Sequence, residues 1–149
     1  MSVIMYPVAR IIRDFLVEEG VGYDYSASTD WSIATAAMPT KPFNCITIYD
    51  EQSTKVVGYL GEGIQEDWVF SIEIRSTEQE PGQYKAKEII KALDGLADWV
   101  WVGGSSEYSQ TVTIAHARRD RGIFPMGRDE NGRWKFNLEY ALMVQSVED

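Results

Sequence analysis

Trp134, Phe136, Leu138, Tyr140, Leu142 and Val144 alternate with Lys135, Asn137, Glu139, Ala141 and Met143. A period of two belongs to a strand with one apolar row and one mixed row, half-buried on a sheet. A strand of this length cannot stand alone and needs hydrogen-bonded neighbours. Asn131-Gly132 directly before it is a hairpin signal, because both residues tolerate positive φ in a type I′ turn. Trp68, Phe70, Ile72 and Ile74 alternate with Val69, Ser71, Glu73 and Arg75, and Val112, Ile114 and His116 alternate with Thr111, Thr113 and Ala115. These predict two further strands of the same half-buried kind.

Between the strands lie two helical patterns. Ile4, Val8, Ile11, Ile12, Phe15 and Leu16 recur at helical spacing, with Pro7 in the first turn and Gly20 and Gly22 at the end. Thr77 with Glu80 reads as a capping box, and a second amphipathic helix runs to about Ala97, with Ala86, Ile89, Ile90, Leu93 and Leu96 on one side. Tyr23 to Pro42 reads mainly as loop, with Ala34 to Met38 a short strand or turn, and β-branched residues mark a strand at Asn44–Tyr49. Asp50 to Gly63 reads as a long loop, and Gly103-Gly104-Ser105-Ser106 as a connection. Ile123, Phe124 and Met126 lead into the tight turn. Helix, strands, helix, strands is the order of an α+β fold: a mostly antiparallel sheet with two amphipathic helices packed on one face, expected as a single domain over residues 1–149.

The chemistry-bearing residues are few. The only histidine, His116, lies in phase with Val112 and Ile114, which reads as a structural residue. The only cysteine, Cys45, sits among apolar neighbours in a strand and reads as a buried, inert thiol. One Cys and one His make neither a disulfide nor a usual zinc site, and no segment has the spacing of an EF-hand. Gly58 to Gly63 lacks both the dinucleotide fingerprint and the Lys-Ser/Thr of a P-loop. No catalytic, cofactor-binding or metal-binding residue is therefore expected. The N-terminus lacks a basic region followed by a long apolar run, so no signal peptide is expected, and no apolar stretch approaches the roughly 20 residues that span a bilayer. A lone cysteine suits a reducing cytoplasm.

A net charge of -9 argues against duplex binding, which depends on Lys and Arg neutralising phosphates. Glu18-Glu19, Glu78 with Glu80, and Glu148-Asp149 read as solvated surface. Against that background Arg118-Arg119-Asp120-Arg121 is the sharpest basic cluster. It reads either as a solvated strand end or as an ion-pairing patch for an acidic neighbour, another copy of the chain included. Aromatic residues make up 12% of the chain, with five Trp and eight Tyr, and such side chains favour interfaces as well as cores.

Met126-Gly127-Arg128-Asp129-Glu130-Asn131-Gly132-Arg133, followed by a long strand with Phe136, resembles the Gly-Arg-Asp-Glu-Asn-Gly-Arg turn near the C-terminus of the phage tail terminator (minor capsid) family of long-tailed bacteriophages. Asn44-Cys45-Ile46 through Tyr49-Asp50 is similar to that family's Asn-Cys-Ile…Tyr-Asp strand. Trp68 to Arg75 resembles its central strand, and Tyr84, Ala86 and Leu93 to Leu96 its second helix. The likeness covers most of the chain and leaves out the middle loop and Val100 to Ser109. It implies a virion structural protein, made in the host bacterial cytoplasm, that forms a hexameric ring on the head-proximal end of the tail tube, stops tube polymerisation and presents the joint to the head. The implied partners are further copies of the chain, the major tail tube protein and a head–tail connector or neck protein, with no enzyme activity, cofactor or membrane. If the ring encloses a channel, net acidity would keep passing DNA from sticking. Arg118, Arg119, Arg121, Arg128, Asp129 and Arg133 are the expected subunit, neck or tube contacts, with a local hairpin ion pair as the competing role for Arg128 and Asp129. Two other readings stay open: another head–tail connector or adaptor of the virion, and a small α+β ligand-binding or enzymatic domain with His116 as its candidate residue.

Overall fold

A computed structural model describes residues 4–58, 64–104 and 109–148, with the backbone alone for residues 51–58 and 64–67. The elements run α1 (Val8–Glu18), β1 (Tyr23–Asp24), β2 (Ser32–Thr35), β3 (Cys45–Gly58), β4 (Ile64–Ser76), α2 (Gln79–Asp94), β5 (Ala97–Gly104), β6 (Ser109–Arg119), β7 (Phe124–Arg128) and β8 (Trp134–Glu148). All eight strands join one sheet in the order β1-β2-β3-β4-β8-β6-β5, with β7 paired to β8. Among the described residues only β1–β2 and β2–β3 run parallel. The fold is α+β with a mostly antiparallel sheet, as the sequence pattern implies.

Alternation decides which face is core. Ile46 and Ile48 of β3, Phe70, Ile72 and Ile74 of β4, and Phe136, Leu138, Tyr140 and Leu142 of β8 form one buried cluster with the apolar stripes of both helices. Phe70 stacks on Tyr140 with ring centroids 5.7 Å apart. α2 comes so close to β8 that a Cβ on Gly82 would lie 2.8 Å from the Phe136 ring. Helix α1 is enclosed from two sides. It packs on β2–β4, and from β5 the Trp101 indole donates to Asp14 at 2.8 Å and the Trp99 indole to Glu18 at 3.1 Å. The sheet therefore curls around it.

The ends of α1 follow ordinary rules. Gly20 at φ 75° closes it: the Gly20 N–H donates to Val17 and the Val21 N–H to Leu16, a Schellman arrangement. At its start the Asp50 carboxylate of β3 accepts from the Ala9 N–H at 2.8 Å, placing negative charge at the positive end of the helix dipole.

Several expected elements differ. The segment read as a loop from Asp50 continues as strand to Gly58 and pairs with β4 across an irregularity between Asp50 and Thr54; the rest of that loop, 59–63, lies outside the described residues. Polar residues hold strand conformation there because ladder hydrogen bonds, unlike hydropathy patterns, need no apolar side chain. The capping box is absent: the N-cap of α2 is Glu78, with no side-chain cap, and Thr77 instead bonds Asn44 by its N–H at 2.9 Å. α2 stops at Asp94, and Ala97 already opens β5. Gly103 and Gly104 belong to β5, whereas Ser105 and Ser106 lie outside the described residues. Gly103 is required there, since a Cβ would meet the Trp101 ring at 2.0 Å. His116 is exposed rather than in phase with Ile114, because register irregularities between Thr113, Ile114 and His116 shift the alternation and bury Ala117 instead. The segment from Phe124 is itself the strand β7.

Candidate functional site

The outer face of the sheet is polar where the inner face is oily. Cys45, Thr47 and Arg75 point outward and are still fully or almost fully buried. Their cover comes from topology. Parallel neighbours β2 and β3 require the chain to cross over the sheet, and here residues 36–44 make that crossing as a bare loop. A loop pressed on a sheet carries carbonyls that need donors. Arg75 supplies them: its guanidinium donates to the carbonyls of Pro39 at 2.6 Å, Thr40 at 3.2 Å, Pro42 at 2.5 Å and Phe43 at 3.2 Å. Burial, and then the nearby charge of Arg133, pull its pKa below the ordinary arginine value. Burial pushes the Cys45 thiol up, which keeps it protonated and unreactive, in line with the sequence reading. Beside them Tyr49 donates to Glu73 at 3.2 Å, and burial, then the Glu73 carboxylate, raise its pKa to about 12.

The loop meets the β7–β8 hairpin at one place. Arg133 donates to the Thr40 carbonyl at 3.4 Å, lies over the Phe43 ring at 5.9 Å, and pairs with Asp129 at 2.8 Å. Asp129 organises the turn. Its carboxylate accepts from the backbone N–H groups of Asn131 and Arg133, each at 2.9 Å. Desolvation works against the charged form, yet these hydrogen bonds and the Arg133 charge hold the carboxyl below its usual range. The turn is not the expected type I′. Gly132 has φ 75° while Asn131 is not left-handed, and the Gly132 N–H donates to Asp129 at 3.0 Å. That is a turn closed by a left-handed glycine, the commoner solution for a three-residue loop.

The six residues expected at contacts fall into two groups that bracket β7. At one end Arg121 lies over the Phe124 ring at 4.8 Å, donates to Asn137 at 2.9 Å and sits 3.7 Å from Glu139. Arg118 pairs with Asp120 at 3.5 Å, and Arg119 lies opposite Tyr140. At the other end Arg128 covers the Trp134 ring at 5.0 Å and Asp129 pairs with Arg133. The structure thus joins Asp129 to Arg133 directly and sets Arg128 on the Trp134 ring.

Between these ends β7 is exposed at all five positions. It pairs β8 on one side and, among the described residues, no strand on the other. Phe124 and Met126 stand half-exposed on it. An exposed apolar edge strand is a template for another chain. Sequence reading took this segment as a lead-in to the turn; Pro125 in a β-rich run was the available signal of an edge strand. Arg75 as an anchor was also missed, because the carbonyls of Pro39 and Pro42 that it holds lie 36 and 33 residues away in sequence.

Among the described residues no group of three or more His, Cys, Asp or Glu could hold a metal ion, and no helix is long and apolar enough to cross a membrane. A family model described as bacteriophage tail terminator protein matches residues 16–145, from the last turn of α1 through most of β8. No curated protein matches the chain.

Proposed function

The chain belongs to the bacteriophage tail terminator protein family, and a structural role in the phage tail follows; from that premise we propose that it closes the head-proximal end of the tail tube as a ring of identical copies. The ring, a hexamer by family resemblance, ends tube polymerisation and offers its far side to the head–tail connector. DNA passes as cargo, and the acidity of the chain keeps it from adhering. The role needs binding surfaces and no catalytic group.

The observation that carries this reading is the exposed β7 edge with arginines at both ends. A closed ring joins one patch to a different patch on the next copy, so each chain needs a surface that cannot satisfy itself. Half-exposed Phe124 and Met126 are such a surface, and arginine is the charged residue best suited to interfaces. Arg118, Arg119, Arg121, Arg128, Asp129 and Arg133 then act at contacts with a neighbouring copy, the tube or the neck, with Asp129 and Arg133 setting the shape of the hairpin.

The test is genetic. Phage lacking this chain should make tails of abnormal length that stay unjoined to filled heads, counted by electron microscopy. Tails of normal length joined to heads in its absence would sink the reading.

A further inference from the structure

The β7 edge has a counterpart of opposite character at the start of α2. Trp31, Glu78, Glu80, Pro81, Tyr84, Lys85 and Glu88 line an open groove between the start of β2 and the first turns of α2. Its one cation is already engaged: the Lys85 ammonium donates to the Val21 carbonyl at 2.9 Å and to Glu88 at 3.1 Å, and lies over the Trp31 ring at 5.3 Å. Glu78 and Glu80 are exposed and form no ion pair among the described residues. Tyr84 beside them is the most exposed aromatic residue in the described chain, at 67%. The groove is aromatic and acidic, where β7 is apolar and cationic.

In the sheet order β2-β3-β4-β8, with β7 beyond β8, the Trp31 end of the groove lies four strand steps from β7, or roughly 19 Å at about 4.8 Å per step, while Glu78 follows Ser76 of β4, two steps from Arg128. Two chains of net charge -9 also repel each other, so contact between copies is easiest where the sign reverses locally. Five of the chain's eight arginines lie in residues 118–133, against three acids.

We infer that the groove of one copy receives the β7 edge of the next, with Phe124 and Met126 against Tyr84 and Trp31, and Arg121 and Arg128 facing Glu80 and Glu78. The occupant is a second copy of this chain. The pairing rests on the ring reading above and supplies the two unlike patches it needs.

The test is a charge swap in the full chain, read by sedimentation velocity and by negative-stain counts of rings, alone and on isolated tail tubes. Arg121→Glu with Arg128→Glu should weaken assembly at least roughly tenfold, the loss expected for two exposed ion pairs turned repulsive. Glu78→Lys with Glu80→Lys should do the same. The chain carrying all four changes should assemble again, because a glutamate edge then meets a lysine groove. Four changes that fail to restore assembly overturn the pairing while leaving the ring reading intact, as do reversals without effect. A wild-type chain that stays monomeric both alone and on tubes overturns the ring reading and this pairing together. A second measurement uses Met126→Cys with Tyr84→Cys under oxidation. A ladder of covalent dimers and larger species is expected, since Cys45 is fully buried and does not compete; no crosslink between copies overturns the pairing.

Discussion

The two faces of this sheet are held by opposite means. The inner face is an apolar layer in which Phe70, Ile72 and Leu138 are wholly buried against two helices. Its cohesion is non-directional and spread over many side chains. The outer face is covered beneath residues 36–44, and there one guanidinium gathers four carbonyls. Its cohesion is directional and concentrated in a single residue. A layer of the first kind tolerates conservative change at any one position, whereas the second kind fails if its one donor is lost.

Four variants probe that contrast, beginning with the largest effect on stability. Phe70→Ala removes a fully buried ring stacked on Tyr140 and should cost about 4 kcal/mol, read from the urea midpoint. A cost below about 1 kcal/mol would mean that the inner face does not dominate. Arg75→Met keeps the bulk but leaves the carbonyls of Pro39, Thr40, Pro42 and Phe43 without their donor, for a loss of about 3 kcal/mol. The same variant should expose Cys45 to iodoacetamide under native conditions, while the wild-type thiol reacts only on unfolding. Equal labelling of the two proteins would show that Arg75 does not hold the loop down.

Asp129→Asn should act locally, speeding amide exchange at Asn131 and Arg133 with little change in the global transition. Because the folded pKa of Asp129 lies below the ordinary 3.8, its contribution is present above that pH and is lost as pH falls through the lower folded value. Acid titration followed by NMR should therefore loosen the hairpin of the wild type and leave that of the Asn variant unchanged. Smallest of all, Arg121→Glu with Arg128→Glu should move the unfolding free energy by no more than about 0.5 kcal/mol, since both side chains are exposed. A large loss would place these arginines in the stability of the fold rather than at its contacts.

The parts read well from sequence are those where a single element carries its own signal. The alternation at Trp68–Ile74 and Trp134–Val144 is β4 and β8, and the stripe from Val8 to Leu16 is α1, closed by Gly20. What escaped depends on two elements at once. β5 looked like the end of a helix and a glycine connection because Gly103 exists for the Trp101 ring, and that ring turns toward Asp14 of α1. His116 changed sides through irregularities in the pairing of β6 with β8, which no window around His116 contains. Thr77 resembled a cap until Asn44, a residue far along the chain, accepted its N–H.

The candidate site divides in the same way. The arginines around residues 118–133 stood out as a local reversal of charge, and the Asp129–Arg133 pair lies within one turn. The exposed edge of β7 did not, since whether a strand is an edge depends on which strands flank it.

By itself the sequence determined periodicity, charge and the scarcity of reactive side chains, and through the first of these an α+β fold. Those properties are local sums over neighbouring residues. Only the tertiary structure decided that Arg75 is an anchor, that residues 36–44 form a cover, and that Trp31 and the start of α2 share an acidic groove. Each of these needs strands distant in sequence to be set side by side, and that order follows from how the sheet closes over its core.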